Sequence, residues 1–498
     1  MFDKVVTERP PAGPVPDAAA VRGWIAALAA LDRGVDDAER VEQIAVLEEL
    51  KAAAAAAQAR ASVDLDVSTR AAHAAAGLPA ELQGRGVAAQ VALARRESPA
   101  RGAQHLGLAR ALVTEMPHTL AALTAGRLSE WRATLLVRET ACLTSAARAG
   151  VDAELCADPA TLAGAGDRAV AARAQAAAYR RDPAAVTRRA AAAEAARRVT
   201  LRPAPDTMAY LSGLLPVTQG VAAYAALVRA ADAARAAGDP RSRGQVMADT
   251  LVQRVTGQAV AADVAVCVDL VITDRALLAG DSEPAHIPCY GPVPAATARR
   301  WLRPAPATAG TDEQAGPGTD EQAAPDIAEP RGEPKAAGGE ARQVWLRRLY
   351  TAPGTGEMVA MEARARLFPA GLRALLVLRD QTCRTPWCDA PIRHSDHALP
   401  HAAGGPTSAG NGQGLCEACN HVKQAPGWRV RPDPTSRPAA HAIQTRTPTG
   451  HTYTSRPPPV PGRPAPGRTW VRDLLDPHGL PGPIDIVFAT HLRGEYAA

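Results

Sequence analysis

The chain has 498 residues, which is enough for two or three domains with a sizeable core. Hydrophobic residues make up 47% of it but aromatic residues only 3%, and because alanine supplies much of the apolar share we expect a predominantly helical protein. The net charge of +5 is mild. No apolar run is long enough to span a membrane, which excludes a membrane-spanning protein. The first residues lack a signal-peptide pattern, which favours a cytoplasmic protein.

Helical signals dominate the N-terminal part of the chain. Residues 1–20 are rich in proline, which predicts a disordered N-terminus, and residues 21–302 are interpreted as a mainly helical domain. Polar residues that can cap a helix stand before three segments with helical apolar spacing. These caps are Asp36 or Asp37, Ser98 before a proline, and Ser129.

Residues 91–116 allow two interpretations. A helix-turn-helix would direct their arginines at DNA phosphates, whereas two packed helices would leave the same arginines in solvent. The arginines are Arg95, Arg96, Arg101 and Arg110. The sequence leaves both interpretations open.

A strand and a linker follow the helical part. Residues 263–274 are rich in β-branched side chains, which predicts a buried strand. Residues 303–341 repeat the motif GTDEQA, contain no aromatic residue and are acidic. Nothing in that stretch can form a core, so we expect a disordered, low-complexity linker.

The C-terminal third is basic. Residues 341–498 contain 19 Lys and Arg against 11 Asp and Glu, a balance of about +8, which suits a polyanion-binding module but also an ordinary solvated surface. Turn residues predict hairpins around 353–356 and 447–450, with a helix at 369–381 between them. The remainder from Pro457 is rich in proline, and we expect it to be mostly unstructured.

Four of the eight cysteines form two close pairs. Four residues separate Cys383 from Cys388, and two separate Cys416 from Cys419. Four thiolates suit a tetrahedral Zn²⁺, and a closed all-cysteine site is structural because no position remains for water. The alternative is four unrelated thiols. A zinc ion bound to all four cysteines would hold together the two ends of the 27-residue segment between the pairs.

The loop between the cysteine pairs contains a motif with catalytic side chains. Asp396 and His397 are adjacent, Pro400 and a Gly-Gly turn follow, Asn411 stands 14 residues after the histidine, and Asn420 stands 9 residues later. In this spacing, with cysteines leading into Asn420, the segment resembles the zinc-stapled branch of the HNH endonuclease family. The N-terminal part, in segments such as AGRLSEWRATLLVRE and VTLRPAPDTMAYLSGLLP, resembles the helical domain of unknown function DUF222 (13E12-repeat-like) of the actinobacterial type.

The HNH resemblance implies a ββα-metal fold around one divalent cation. Asp396 and Asn420 would bind Mg²⁺ or a similar hard cation, and His397 would act as the general base. Asn411 would be the second catalytic residue of the motif and would hold the loop between the strands by side-chain to backbone hydrogen bonds. Because His421 adjoins Asn420, either residue could be the second ligand of the cation. The spacing from Asn411 favours Asn420.

Other side chains around the motif have two interpretations each. Arg384, Arg393 and Lys423 are candidate contacts to DNA phosphates, or simple surface charge. His401 and His421 could contact DNA or assist the metal, but the sequence favours ordinary surface histidines in loops.

The predicted architecture is a mainly α N-terminal domain joined by the linker to a small α+β domain. The small domain, at 342–430, would be a zinc-stapled ββα-metal nuclease fold, and residues 431–498 would be a hairpin and a tail. The predicted function is a metal-dependent DNA endonuclease that hydrolyses phosphodiester bonds. A DNA-binding or regulatory protein with a catalytically silent HNH fold is the alternative, whereas a purely structural zinc module leaves the Asp-His pair unexplained. The sequence predicts no oligomeric state.

Overall fold

Alanine-rich segments with regularly spaced apolar positions form helices in the N-terminal part of the chain, as the composition predicts. The computed structural model describes residues 16–258, 270–273, 276–277, 280–287, 290–302, 344–350, 366–434, 441–458 and 486–492. The first helices are α1 (Ala18–Ala29), α2 (Asp37–Ala75), α3 (Val87–Arg95), α4 (Pro99–Glu115), α5 (Pro117–Thr124), α6 (Glu130–Glu139), α7 (Ser145–Cys156), α8 (Asp167–Arg181) and α9 (Pro183–Ala195). Across the described ranges, no helix combines the length and the apolar character needed to cross a membrane.

All three predicted helix caps are present. Asp36 precedes α2 and accepts a hydrogen bond from the backbone N–H of Glu39 at 2.9 Å. Of the two candidate aspartates, Asp36 is therefore the cap. Ser98 accepts from the N–H of Arg101, and Ser129 from the N–H of Arg132. Each cap satisfies a donor that the first turn of a helix leaves without a partner.

The chain divides into two compact units, and the first consists of residues 1–67 and 106–187. Its core lies along α2, where small side chains recur at helical spacing and let neighbouring helices approach closely. These side chains are Ala52, Ala55, Ala56, Ala59 and Val63. Larger residues of α4 to α8 fill the core around them, namely Leu112, Met116, Leu123, Leu136, Val151 and Val170.

The second unit consists of residues 68–105 and 188–498, and it contains small antiparallel sheets among its helices. Its helices beyond α9 are α10 (Val217–Ala236), α11 (Arg243–Thr256), α12 (Ala295–Leu302), α13 (Ala370–Asp380) and α14 (Glu417–Lys423). Its strands are β1 (Arg198–Ala204), β2 (Met208–Leu214), β3 (Leu270–Thr273), β4 (Ala285–Ile287), β5 (Gly291–Val293), β6 (Val344–Tyr350), β7 (His394–His397), β8 (Gly412–Leu415), β9 (Arg429–Pro432), β10 (Ile443–Arg446), β11 (Thr452–Ser455) and β12 (Ile486–Leu492).

Four separate sheets are formed by these strands. The hairpins β1–β2 and β7–β8 are each a two-stranded sheet, and β9 to β11 form a three-stranded sheet in the order β11-β10-β9. A five-stranded sheet has the order β5-β4-β3-β12-β6, with neighbouring strands antiparallel. The fold is therefore mainly helical in its N-terminal region with small antiparallel sheets in its C-terminal part.

Several predicted elements can be compared with this structure. The helix expected at 369–381 is α13, and the hairpin expected around 447–450 is β10–β11. Of the predicted strand at 263–274, the structure describes residues 270–273, and these form β3. The linker at 303–341, the turn at 353–356 and most of the N-terminal 1–20 segment lie outside the described residues.

Two expectations were wrong in part. Residues 198–214, expected to be helical, form the hairpin β1–β2, whose turn residues Asp206 and Thr207 have positive φ angles of 59° and 60°. Such a turn matches the twist of paired strands. The tail beyond Pro457, expected to be mostly unstructured, contributes β12 between β3 and β6.

A helix of the N-terminal region packs on the C-terminal module within the second unit. Ala89 and Leu93 of α3 form one buried cluster with Ala425 and Trp428. At Gly86, which has a φ of +92°, a Cβ atom would lie 2.6 Å from Nε1 of Trp428. A glycine is therefore required where the chain enters α3.

The buried carboxylate of Asp380 fixes the C-terminal module around α13. It accepts hydrogen bonds from Arg379, from Arg384 at 3.0 Å and from the backbone N–H of Gly414 in β8 at 2.7 Å. Arg384 also donates to the backbone carbonyl of Ser455 in β11. Burial alone would raise the pKa of Asp380, but the two guanidinium groups outweigh burial and lower it.

We predict that Asp380→Asn destabilises this module by about 3–5 kcal/mol, because the buried guanidinium of Arg384 loses its counter-charge. Hydrogen exchange of the amides in α13 and β8 measures the change. Since the pKa of Asp380 is lowered in the folded state, its contribution is complete above the unfolded value of about 3.9 and is lost as the pH falls through the folded pKa. The exposed Asp389→Asn is the control and should change stability by less than about 0.5 kcal/mol.

Candidate metal centre and acid–histidine site

Four cysteine thiols converge at the base of the β7–β8 hairpin. The sulfur atoms of Cys383, Cys388, Cys416 and Cys419 all lie within 4.8 Å of one another, and all four residues are buried and outside disulfides. Sγ of Cys388 lies 3.8 Å from Sγ of Cys416. A tetrahedron with Zn–S bonds of about 2.3 Å has sulfur atoms about 3.8 Å apart, so this cluster can hold a metal ion such as zinc.

Local structure brings these thiols together. Cys416 is the N-cap of α14, and its Sγ accepts from the N–H of Cys419, which brings one pair together. A turn from Thr385 to Cys388, with a 3.0 Å hydrogen bond, brings the other pair together. The cluster therefore joins the start of α14 to the loop after α13.

Hydrogen bonds between the four thiols lower the pKa values of two of them and raise those of the other two. Hydrogen bonds from the neighbouring thiols, that of Cys388 first, lower the pKa of Cys383 to about 7, and bonds from Cys383 first lower the pKa of Cys416. The pKa values of Cys388 and Cys419 are raised because they donate such bonds, first to Cys383. Thiolate is the form that binds metal, so Cys383 and Cys416 are the two cysteines whose pKa shifts favour metal binding.

The loop between the two strands is closed by Asn411. Its side chain donates to the carbonyls of Leu399 at 3.0 Å and Pro406 at 2.9 Å, and it accepts from the N–H of Leu399 at 2.8 Å. At Gly405 a Cβ atom would lie 2.0 Å from the carbonyl oxygen of Leu399, so this close approach requires glycine. Asn411 thus has a structural function in the loop, and its catalytic assignment stays a prediction.

His397 ends β7 in a nearly buried position. Its Nε2 lies 2.8 Å from Oγ1 of Thr407, and its ring packs against the ring of Phe368 at 4.5 Å and that of His401 at 5.6 Å. Burial lowers the pKa of His397, although the carboxylate of Asp396 opposes this effect. The imidazole is therefore neutral at neutral pH, which is the form that can accept a proton.

Asp396 is paired with an ammonium group. Its carboxylate accepts from Gln413, its partner across the hairpin, at 3.2 Å and from Nζ of Lys423 at 2.5 Å. Lys423 also donates to the backbone carbonyl of His397. A single positive charge from α14 thus lies between two oxygen atoms at the end of β7.

Asn420 offers a further oxygen atom in α14, three residues before Lys423. Its Oδ1 is buried and has no hydrogen-bond partner among the described residues, whereas the adjacent His421 is mostly exposed. An orphaned buried carbonyl is costly unless something binds it. Carboxylate, amide and backbone carbonyl oxygen atoms are hard donors, which Mg²⁺ prefers to the soft donors that thiolates provide.

The three candidate phosphate contacts have different surroundings. Arg393 is exposed on the hairpin. The guanidinium of Arg384 is buried and bonded to Asp380 and Ser455, and Lys423 is bonded to Asp396. Contact with DNA through Arg384 would require that these bonds break, so its position indicates a structural function. DNA binding by all three residues stays a prediction.

The arginines of residues 91–116 mostly have carboxylate partners. Arg95 and Arg101 pair with Glu97, and Arg110 pairs with Asp66. Arg96 ends α3 with a positive φ of 58°. No contact here requires a helix-turn-helix interpretation, which stays untested.

Sequence reasoning missed Thr407 and Gln413. Both side chains are buried, and each contacts one member of the Asp-His pair. A register for β7 and β8 would have indicated Gln413, because this residue is opposite Asp396 in the observed hairpin. Nothing in the local sequence indicates Thr407.

We predict that Cys383→Ser removes the metal from the purified protein and loosens the segment from Cys383 to Lys423, because bound metal adds directly to folding free energy. Elemental analysis and hydrogen exchange measure the two effects. Cys142→Ser, a change of a half-buried thiol outside the cluster, is the control and should keep the metal content of the wild type. A folded, reduced wild type without metal would contradict this prediction.

Comparison with known proteins identifies the larger part of the chain. Residues 44–326 match the family model described as domain of unknown function (DUF222). The uncharacterized protein Rv3776 of Mycobacterium tuberculosis (strain ATCC 25618 / H37Rv) is 37% identical over 114 residues, which cover 20% of this chain and 22% of that protein. The chain therefore spans less than a quarter of the length of this curated relative. No solved structure matches the chain. Because the family model covers more than half of the chain, the chain belongs to the DUF222 family.

Proposed function

We propose that this chain is a divalent-cation-dependent endonuclease that hydrolyses DNA phosphodiester bonds at Asp396, His397 and Asn420. One observation carries the proposal: a carboxylate, a neutral imidazole and a buried amide oxygen without a partner are contributed by the end of β7 and by α14. Each of these groups corresponds to one requirement of phosphodiester hydrolysis. The hairpin followed by a helix supports the ββα-metal interpretation.

His397 is the general base in this proposal. The hydroxyl of Thr407 can donate to the carbonyl of Arg366, 3.4 Å away, and then accepts from Nε2–H of His397. This arrangement leaves the lone pair on Nδ1, which takes the proton from the attacking water. Thr407 and Phe368 hold the ring in place.

Asp396 and Asn420 hold the cation in this proposal. When bound, it supplies positive charge that stabilises the transition state and the departing oxygen. Asp396 and the orphaned oxygen of Asn420 are its protein ligands, and Gln413 orients the carboxylate. The four-cysteine cluster takes a structural zinc ion, which fixes the start of α14.

DNA is the proposed substrate because the C-terminal third is basic. Residues 341–498 have a balance of about +8, and Arg393 on the hairpin is exposed. Positive charge near the site attracts a phosphate backbone and makes binding depend on salt.

A catalytically silent DNA-binding protein is the second candidate, and one contact favours it. The ammonium of Lys423 is bonded to the carboxylate that would hold the cation. If this pair is permanent, Asp396 cannot bind a divalent ion. The two candidates differ in whether a cation displaces Lys423.

We predict that His397→Ala lowers the rate of plasmid cleavage at least about 10²-fold while metal content and DNA affinity stay unchanged. A nicking assay on supercoiled plasmid with Mg²⁺ or Mn²⁺ measures the rate. His421→Ala is the matched control, because it removes a mostly exposed histidine of the same module and should leave the rate unchanged. Equal cleavage by His397→Ala and the wild type would contradict the proposed site, whereas binding without cleavage by the wild type would favour the silent protein.

We predict that Lys423→Met tightens binding of Mn²⁺ at least about tenfold in the absence of DNA, because the ammonium no longer competes for Asp396. Titration followed by electron paramagnetic resonance measures the affinity. Arg393→Met removes the same charge from an exposed position and should change the affinity little. If Lys423→Met binds Mn²⁺ no more tightly than the wild type, Lys423 and the cation do not share Asp396.

A further inference from the structure

An arm of the second unit, defined as residues 198–256 with β1, β2, α10 and α11, exposes many large apolar side chains. Most of the large apolar residues that are exposed in the described part of this unit belong to it. They are Val199, Leu201, Met208, Tyr210, Leu211, Leu214, Leu215, Val217, Val221, Tyr224, Leu251 and Val255. A two-stranded hairpin is marginally stable without a partner for its apolar face.

One face of the hairpin carries only apolar side chains and glycine. In the register of β1 and β2, Val199 is opposite Gly213, Leu201 opposite Leu211, and Pro203 opposite Ala209. Side chains that are opposite each other point to the same face of a sheet. Leu201 is 72% exposed at the centre of this face, and no charged residue is on it.

The other face of the hairpin is mixed and has its own contacts. It carries Thr200, Ser212 and Arg202, whose guanidinium lies 4.6 Å from the centre of the Tyr210 ring. The hairpin is thus amphipathic, and its apolar face is the one without a described partner.

Helix α10, which two residues separate from the end of β2, also exposes apolar side chains. Val217, Val221 and Tyr224 are spaced by four and three residues, which places them on one side of the helix, and all three are more than 60% exposed. Leu215 links the two parts, because its side chain lies 3.7 Å from where a Cβ atom of Gly213 would be. Within the described helix α10, Ala231 is the buried residue.

We infer that this apolar surface is the interface between two copies of the chain. Each large apolar side chain offers about 100 Å² for burial. Six of them, from the two parts of the surface, bury about 1,000 Å² or more in a two-fold pair, which reaches the size of a specific interface. These are Val199, Leu201, Leu211, Val217, Val221 and Tyr224.

The lack of charge on this surface is also compatible with a second copy as its partner. In a two-fold pair the same patch meets itself, so a charged patch would repel its copy. The apolar face of the hairpin and the positions Val217, Val221 and Tyr224 carry no charge. The surface therefore meets its own copy without electrostatic cost.

The test is the oligomeric state of the full chain by sedimentation velocity over roughly 1–100 µM, a range set by ordinary dimer affinities. The wild type should sediment as a dimer. Leu201→Glu should raise the dissociation constant at least about 100-fold, because it places a charge without a partner at the centre of the interface. Circular dichroism should be unchanged, since the residue is exposed in a single copy.

Thr200→Glu is the matched control, because it introduces the same charge one residue away on the other face of β1. It should leave the dimer intact. A wild type that is monomeric throughout overturns the inference, and so does a Leu201→Glu variant that dimerises as well as the wild type. Slow hydrogen exchange of β1 in a monomeric wild type would show that another segment of the same chain covers the face, which also overturns it.

Discussion

The C-terminal module depends on one buried charge, the carboxylate of Asp380. It binds two guanidinium groups and a backbone N–H of β8, and through Arg384 it reaches β11. A buried carboxylate is tolerated only where its partners are complete, so the relative positions of α13, the first cysteine pair and β8 follow from it. The strand β8 in turn fixes the register of β7, and the Asp-His pair stands where that register places it.

The parts of the site that lie close together in sequence were predictable. The cysteine pairs, the Asp396-His397 pair and the amide of Asn411 lie within a few residues of their partners or have a recognisable spacing. Contacts between distant segments were not predictable, since no local pattern shows that Arg384 binds Asp380 and Ser455. For the same reason an arginine expected on the surface is buried. The hairpin β1–β2 was missed because the alanine-rich segments on both sides favour helix, and the alternation of its apolar residues is interrupted by Pro203.

Lys423 balances the negative charge of the oxygen atoms around it. Asp396 and the carbonyl of His397 face an ammonium, and His397 itself is kept neutral by burial. In the proposed nuclease, a divalent ion adds one positive charge relative to the lysine it replaces, and Asn420 supplies an oxygen that Lys423 does not use. By pairing with Asp396, the lysine limits the cost of a partly buried carboxylate.

The contact of α3 with Trp428 joins a helix inside the segment that matches the DUF222 family to a residue outside that segment. The match to DUF222 ends at residue 326, yet Ala89 and Leu93 inside it are buried by Ala425 and Trp428 outside it. The narrow gap at Gly86 permits no side chain there while the indole is present. Substitutions at these positions should therefore depend on one another. Loss of Trp428 would leave the face of α3 with Ala89 and Leu93 without its cover, and a side chain at position 86 would need a smaller residue in place of the tryptophan.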